Sequence, residues 1–266
     1  MGSVPAQPGR RPVKVAVTRP RHRAGALCAA LRSHGLIPVV RSLVRIEVCV
    51  TPRVLVEPMG VAPADDLPPW LLLTSVEAVH ALDKARRALN VPWPVTNVAC
   101  VGPATADAAR RAGLEISLMP SQWDSAGLAA SLTAAGVAGA RFYWPRAEAA
   151  DQELKTVLVA AGAKVNDVAA YRTVPDERGG ARLERDLRAG SIDVVLLLSP
   201  SAADAYAALA RPVPERVLLG VMGRSTGARV RAHGLTVHME PAVHSITALA
   251  AAVSRYVDVL ESGPEK

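Results

Sequence analysis

Four short stretches of the chain place small hydroxyl residues, glycine or proline directly after an apolar run. They are Thr74-Ser75, Gly102-Pro103-Ala104-Thr105, Ser199-Pro200-Ser201 and Gly223-Arg224-Ser225-Thr226. These residue types predict the first turn of a helix, where backbone N–H groups lack intrahelical partners and the helix dipole favours negative charge. A carboxylate or a phosphate binds at such a place. Ordinary N-capping also explains each stretch alone, so an anion site requires several of them at one place.

The apolar runs before these stretches have the length and composition of buried strands. They cover residues 71–73, 98–101 and 192–198 and a run that begins at Leu218, and a helix-like segment follows each. Strands and helices alternate through the chain, which predicts an α/β fold with parallel sheets and helices on both faces. Because open α/β sheets bind ligands at the carboxyl ends of their strands, the four stretches lie where a ligand is expected.

The chain contains two copies of one α/β unit. At an offset of 121 positions (223 − 102), six identical residues coincide, all at turns and element ends: Gly102, Thr105, Arg110, Gly113, Leu114 and Pro120 match Gly223, Thr226, Arg231, Gly234, Leu235 and Pro241. At a second offset of 127 positions (146 − 19), Arg19, Leu27, Leu31 and Gly35 match Arg146, Leu154, Leu158 and Gly162. Self-similarity of this kind indicates a duplicated structural unit.

The order of the copies predicts that one lobe is inserted into the other. Residues 13–40 and 176–266 are expected to form lobe 1, and residues 48–165 the inserted lobe 2. Two extended segments, residues 41–47 and 166–175, are then expected to cross between the lobes as a two-strand linker. Residues 1–12, which are rich in Pro, Gly and Arg, are expected to be a disordered tail.

Four more local predictions follow from the sequence. Residues 36–47, rich in Val and Ile, are expected to form one long strand, and the proline-rich residues 48–69 a loop around a weak segment. Residues 114–118 are expected to form a second strand of the repeated unit, after the helix that stops at Gly113. Pro145-Arg146 is expected to be a turn.

Composition and charge exclude several classes of protein. The net charge is +7, from 31 basic and 24 acidic residues, which suits either an anionic partner or simple solubility. The basic residues are scattered and aromatic residues are only 3% of the chain, so nucleic-acid binding is not expected. No glycine-rich dinucleotide or phosphate-loop motif is present, and the histidines lack ligand spacing. We therefore expect no dinucleotide cofactor and no metal.

The cysteines and the hydropathy pattern predict a cytoplasmic protein. Cys28, Cys49 and Cys100 lie far apart and match no metal spacing, which is typical of thiols in a reducing compartment. The first 14 residues contain no apolar block of the kind that a secretory signal needs. The strongly apolar run at residues 194–198 is too short to span a membrane, and no membrane association is expected.

Six motifs, in order and at matching spacing, resemble the uroporphyrinogen-III synthase family. They are Thr18-Arg19-Pro20, Leu-Leu-Thr-Ser at 72–75, Val-Gly-Pro-Ala-Thr-Ala at 101–106, Ala-Ala-Tyr-Arg-Thr at 169–173, Leu-Ser-Pro-Ser-Ala at 198–202 and Met-Gly-Arg-Ser-Thr at 222–226. The resemblance runs from about residue 13 to residue 253. It implies two similar lobes, each a parallel sheet flanked by helices, joined by two strands.

The resemblance also implies a reaction. The family cyclises linear hydroxymethylbilane to uroporphyrinogen III, with inversion of the last pyrrole ring, on the route to haem, sirohaem and cobalamin. It implies a monomer without metal or organic cofactor, acting on a tetrapyrrole that carries eight carboxylates. The basic surplus and the helix-start stretches would then serve one polycarboxylate substrate.

The resemblance implies which residues of this chain form the site, through the positions that match within the six motifs. Tyr171 matches the tyrosine of the cleft, and its phenol, with a pKa near ~10, stays protonated at neutral pH and can assist loss of hydroxide. From the residues alone, a tyrosine packed on the linker with its hydroxyl in water is the favoured explanation of Tyr171. The positions expected to bind substrate are Arg19, Thr74, Ser75, Gly102, Thr105, Arg146, Ser199, Ser201, Gly223, Ser225 and Thr226.

The chain departs from the family pattern at two places. Val76-Glu77 follows the first serine, and Arg224 brings a large cation to the last stretch. A carboxylate at Glu77 suits a polycarboxylate ligand only if it faces solvent. These departures leave open a lapsed relative that acts as a tetrapyrrole-sensing or regulatory module. A two-lobed solute-binding protein is a third alternative, which would need an export signal.

Overall fold

A computed structural model describes residues 12–59, 69–93, 97–209 and 216–262. Its strands are β1 (Lys14–Val17), β2 (Ile37–Val40), β3 (Val44–Val48), β4 (Trp70–Leu73), β5 (Val98–Cys100), β6 (Arg141–Ala147), β7 (Lys164–Pro175), β8 (Val194–Leu197) and β9 (Leu218–Val221). Its helices are α1 (Gly25–Ser33), α2 (Pro52–Val56), α3 (Val76–Leu89), α4 (Pro103–Arg111), α5 (Ser125–Ala134), α6 (Glu153–Ala160), α7 (Glu177–Arg188), α8 (Pro200–Ala207), α9 (Arg224–Ala232) and α10 (Ile246–Ser262). Short 3₁₀ turns lie at Arg21–Arg23 and Glu57–Met59.

The chain divides into two compact units. Unit 1 contains the residues up to Arg45 together with those from Val174 onward, and unit 2 is Ile46–Thr173. The chain therefore passes from one unit to the other twice, within β3 and within β7. The assignment of residues 41–47 and 166–175 as an interlobe linker stays a prediction, and nearly all of the predicted tail, residues 1–11, lies outside the described residues.

Unit 1 is built on a four-stranded parallel sheet in the order β2-β1-β8-β9. Alternate residues of β1 face opposite sides of the sheet: Val15 and Val17 pack with Leu27 of α1, whereas Ala16 packs with Leu183 of α7. Burying a leucine side chain such as these contributes about 1.5–3 kcal/mol. Helices thus cover both faces of the sheet, as parallel strands require.

Unit 2 is built on a sheet in the order β3-β7-β6-β4-β5, in which β7, β6, β4 and β5 run parallel. In β4, Leu71 and Leu73 face one core and Leu72 faces the other. Edge strand β3 is antiparallel to β7. Cys49 N–H donates to Ala170 O at 3.0 Å and Asp176 N–H donates to Leu43 O at 2.9 Å, so the residue numbers of the partners change in opposite directions. The predicted fold class, α/β with parallel sheets flanked by helices, is confirmed.

The two sheets share one strand order. β2-β1-β8-β9 of unit 1 corresponds to β7-β6-β4-β5 of unit 2. The correspondence extends to detail, because the isolated bridges Ala99–Leu118 and Gly220–Met239 lie at the same offset of 121 positions. The matched Gly113 and Gly234 both follow their helix with a positive φ, +93° and +70°, as helix ends with glycine commonly do.

Three sequence predictions of strands and loops were wrong in part. The predicted strand 36–47 is broken into β2 and β3, at a point where Arg41 binds Asp186 and Ser42 Oγ donates to Val44 O. The predicted loop 48–69 contains α2, which Pro52 begins, and residues 60–68 lie outside the described residues. Residues 114–118 form a single bridge at Leu118 rather than a strand.

The predicted turn at Pro145-Arg146 is also wrong. β6 continues through both residues to Ala147, with a shift of register after Arg146. The proline is tolerated because β4 pairs with β6 only at Phe142 and Tyr143, so Pro145 faces no partner that needs its missing N–H on that side.

Candidate active site

The predicted site residues follow the carboxyl ends of the strands in both units. In unit 2, Thr74 and Ser75 follow β4, Gly102 follows β5, and Arg146 and Tyr171 lie near the end of β6 and in β7. The register pairs Leu73 with Cys100 and Ala147 with Tyr171, which brings these ends to one edge of the sheet. In unit 1, the residues after β1, β8 and β9 are Arg19, Ser199, Ser201, Gly223, Ser225 and Thr226.

Tyr171 and Ser75 are in direct contact. The buried Tyr171 donates its hydroxyl to Ser75 Oγ at 2.8 Å, and the same oxygen accepts from Ala78 N–H at 3.1 Å as the N-cap of α3. A serine oxygen that accepts two hydrogen bonds has its own O–H left to donate. The tyrosine hydroxyl therefore has a protein partner, and the Ser75 O–H is left as a hydrogen-bond donor.

Thr74, Trp144 and Arg146 form a second contact group in unit 2. Trp144 Nε1 donates to Thr74 Oγ1 at 3.0 Å, and the Arg146 guanidinium lies 5.9 Å from the centre of the Trp144 ring. The indole thus fixes the Thr74 hydroxyl and supports the arginine. Sequence analysis missed Trp144, because its alternation along β6 indicates a core residue.

Arg146 is held by the half-buried carboxylate of Asp167. Arg146 Nε donates to Asp167 Oδ2 at 2.6 Å, and Lys155 Nζ donates to Asp167 Oδ1 at 2.5 Å. Burial acts to raise the pKa of Asp167, but the hydrogen bonds from Lys155 and Arg146 hold that pKa below its ordinary value. Two cations share one anion here, so the group keeps a net positive charge at neutral pH. Arg146 stays a predicted substrate contact with a fixed orientation.

Helices α4 and α9 begin without a side-chain cap. Their N-caps are Gly102 and Gly223, which carry no side chain to accept from the first amides. Thr105 and Thr226, the third residues of these helices, are buried, with only 5% and 4% of their surface exposed. The amides of the first turn are therefore open to a ligand, and each helix dipole favours an anion there.

Helices α3 and α8 begin differently. Ser75 and Ser199 cap them, with Oγ accepting from Ala78 N–H and from Ala202 N–H at 3.1 and 3.2 Å. Ser199 Oγ also lies 3.1 Å from Ser201 Oγ. N-capping therefore accounts for both serines structurally. As the N-cap residues of α3 and α8, Ser75 and Ser199 hold equivalent positions in the two units.

The other candidate positions, Arg19, Glu77, Arg224 and Ser225, differ in their exposure to solvent. Arg19 is half-buried after β1, while Arg224 and Ser225 are exposed in the first turn of α9. Glu77 does not face solvent: it is buried at the second position of α3, where the helix dipole stabilises a carboxylate.

The cysteines and histidines form no metal centre in the described part of the chain. No group of three or more His, Cys, Asp or Glu side chains there could hold a metal ion. Cys28 and Cys100 are buried and Cys49 is partly buried, and burial raises the pKa of the Cys100 thiol to about 12. That thiol is protonated at neutral pH. No helix among the described residues is long and apolar enough to cross a membrane.

Comparison with known proteins gives one consistent result. The family model for uroporphyrinogen-III synthase HemD matches residues 25–251. A Chlorobaculum parvum uroporphyrinogen-III synthase is 24% identical over 237 residues, which are 85% of this chain and 92% of that protein. A Methanothermobacter thermautotrophicus protein that bears the same enzyme name is 30% identical over 148 residues, 52% of this chain but only 58% of that relative.

A solved structure has a similar fold. The crystal structure of a mutant uroporphyrinogen III synthase from the bacterium Thermus thermophilus matches with a TM-score of 0.55 at 22% identity. The match covers 92% of this chain and 99% of the Thermus chain. At that identity the likeness bears on the fold alone.

Proposed function

Because the chain belongs to the uroporphyrinogen-III synthase family, we propose that it is a cyclising lyase of tetrapyrrole synthesis. It converts hydroxymethylbilane to uroporphyrinogen III with inversion of the last pyrrole ring. The observation that carries this proposal is the pair of uncapped helix starts at Gly102 and Gly223, each followed by a buried threonine. Each offers backbone amides to an anion, and the bilane is a chain of carboxylate-bearing rings.

Binding depends on charge as well as on amides. Each helix start favours a carboxylate by about 0.3–1 kcal/mol, so one alone binds weakly and several together bind a polycarboxylate. The Arg146–Lys155–Asp167 group adds positive charge at the same edge of unit 2, and the chain as a whole carries +7. Glu77 does not oppose this, because the start of α3 stabilises its carboxylate.

Ring closure needs an acid, and the Tyr171–Ser75 pair supplies one. The C–O bond of the hydroxymethyl group breaks, hydroxide takes up a proton and leaves as water, and an azafulvene cation remains. Ser75 donates towards the departing oxygen while Tyr171 donates to Ser75. The pyrrole carbon that forms the new C–C bond then releases a proton, which restores the donor pair. Proton donation of this kind contributes about 10²–10⁴-fold in rate.

Selecting the inverted isomer is mainly a matter of conformation. Bilane closes without a catalyst to the uninverted ring, so the protein must hold the chain where the spiro route is faster. Fixed anchors serve that purpose. Thr74 is held by Trp144, and Arg146 by Asp167.

We also propose that the protein acts as a monomer in the cytoplasm without a cofactor. The support for the location is the set of three separate cysteines, which form no disulfide in the structure.

The test is product analysis. Freshly prepared hydroxymethylbilane is incubated with the purified protein, and the oxidised type I and type III isomers are separated by chromatography. The expected result is a type III product well above a buffer control and above heat-denatured protein. A type III share equal to the buffer control would refute the proposal. Tight binding of uroporphyrinogen III with no turnover would instead identify a lapsed, sensing relative.

A further inference from the structure

Two equivalent loops expose apolar side chains in this chain. Among the described residues, the large apolar side chains with the greatest exposure are Val243 at 67% and Trp123 at 64%. They lie in residues 121–124 and 242–245, which correspond at the repeat offset of 121 positions. We call these segments the rim loops. The same loop in both copies thus presents an apolar surface, although the residues differ.

The rim loops lie beside the uncapped helix starts. A Cβ placed on Gly102 would be 3.1 Å from Trp123 Cβ, and one placed on Gly223 would be 3.5 Å from the His244 ring. Trp123 and His244 occupy matching positions in the repeat. Each exposed ring is therefore next to the first turn of a helix that has no side-chain cap and that contains a buried threonine.

The Trp123 loop is held firmly. Asp124 caps α5 by accepting from Gly127 N–H at 2.7 Å, and it accepts from Gln122 Nε2 at 2.7 Å. Both hydrogen bonds lower the pKa of Asp124, and the bond from Gly127 has the larger effect. A Cβ on Gly127 would lie 2.2 Å from Gln122 O, so the loop packs tightly on the helix. Ser245 caps α10 at the matching position, accepting from Ala248 N–H at 3.1 Å. Because the loop is held in this way, the Trp123 indole stays exposed to solvent.

An exposed indole beside open amides suits a ligand with flat rings that carry carboxylates. Of the four tryptophans, Trp70 and Trp93 are half-buried and Trp144 is buried, so Trp123 alone presents most of its surface. Resting on the proposed function, we propose that Trp123 is a substrate-binding residue, packing against a pyrrole ring whose carboxylate side chain reaches the amides at the start of α4. Val243 and His244 form the weaker counterpart beside α9.

The first test is steady-state kinetics of Trp123→Ala with hydroxymethylbilane. The variant keeps the Cβ that touches Gly102, so folding is preserved, as an unchanged thermal midpoint will verify. We expect KM to rise about five- to tenfold with kcat within about twofold, the size of one lost ring contact. Trp123→Phe restores most of the affinity. Val159→Ala, an apolar side chain 49% exposed on α6, is the matched control and leaves KM unchanged.

The second test does not need turnover. Acrylamide quenches an exposed indole, and we expect added uroporphyrinogen III, kept reduced, to protect the wild-type fluorescence and not that of Trp123→Phe. A wild-type KM for Trp123→Ala, or quenching that uroporphyrinogen III does not change, overturns the inference. If the wild type forms no type III product, the proposed reaction fails, and the quenching result still decides whether Trp123 contacts the tetrapyrrole.

Discussion

Tyr171 Oη lies 2.8 Å from Ser75 Oγ and joins β7 to the first turn of α3. The contact links two residues 96 positions apart, both at the carboxyl edge of one sheet. Because the Ser75 oxygen already accepts from Ala78 N–H, its two acceptor positions are filled and its hydrogen points away from both donors. The two hydroxyls are therefore directly coupled, and the Ser75 O–H is left to donate.

Tyr171→Phe should lower kcat severalfold, by about three- to tenfold, without abolishing type III formation. The loss removes a donor to Ser75, but Ser75 itself stays in place on its cap. Ser75→Ala should cost more, because it removes both the donor and an N-cap worth about 0.5–2 kcal/mol of stability. The measurements are kcat and the thermal midpoint. The double variant should be no slower than Ser75→Ala; independent, multiplying effects would show that the two hydroxyls do not act as a unit.

Gly102→Ala and Gly223→Ala form a matched pair at the two helix starts. Both glycines have extended backbones, with φ of −176° and −160°, so alanine strains neither. At Gly102 the new methyl would lie 3.1 Å from Trp123 Cβ, whereas at Gly223 its nearest contact is 3.5 Å. We expect Gly102→Ala to be about 1 kcal/mol less stable than Gly223→Ala in urea unfolding, and to raise KM. Equal free energies of unfolding for the two variants would contradict this expectation, because they would show that the Trp123 loop moves away from the new methyl group without loss of stability.

Asp167→Asn should destabilise the protein at neutral pH by about 2 kcal/mol, because two charge-assisted hydrogen bonds lose their anion. The folded-state pKa of Asp167 is lowered, so its contribution is present above the unfolded pKa near ~3.9 and is lost as the pH falls through the folded value. The difference from wild type in urea unfolding should therefore be constant above about pH 4 and shrink as the pH falls below it. Asp107→Asn, in the exposed pair with Arg110, should change stability by less than about 0.5 kcal/mol. A difference that stays constant with pH would contradict the assignment.

The folded protein should lose stability as the pH falls below about 6.5, and His238→Asn should make that loss smaller. Burial lowers the pKa of His238, whose Nδ1 accepts from Leu219 N–H at 3.0 Å. The neutral ring is favoured in the folded state, so this contribution is complete above the unfolded pKa near ~6.5 and falls away as the pH drops through the lower folded value. Asparagine offers an oxygen to the same N–H and does not titrate. Thermal midpoints from pH 8 to pH 5 should fall less steeply than for wild type or for the exposed control His34→Asn. Parallel curves would refute this role.

Local sequence signals were enough to predict the repeated elements. Gly113 and Pro103 bound α4 because each residue restricts the backbone at that point, and the identical residues of the second copy indicate the same element again. The alternating faces of β1 and β4 likewise follow from runs of valine and leucine.

Side-chain partnerships could not be predicted in this way. Nothing near Arg146 in the sequence indicates Asp167, since the pairing depends on the register of β6 with β7. The sequence does not indicate Trp123 as a binding residue, because a single tryptophan in a loop has no periodicity. Its 64% exposure beside Gly102 makes it a candidate. Residues 114–118 have a strand-like composition, but only Leu118 finds a partner there.

The pairing of β1 with β8 has a consequence for biosynthesis. Val15 lies opposite Pro38 of β2 on one side and Val194 of β8 on the other, so β1 can pair with β2 early but must wait for 179 further residues (194 − 15) before β8 is synthesised. Unit 2 lies wholly within that interval and its strands are all translated earlier. All of unit 2 is therefore synthesised before the sheet of unit 1 can be completed, and the β8 side of β1 stays unpaired in the meantime.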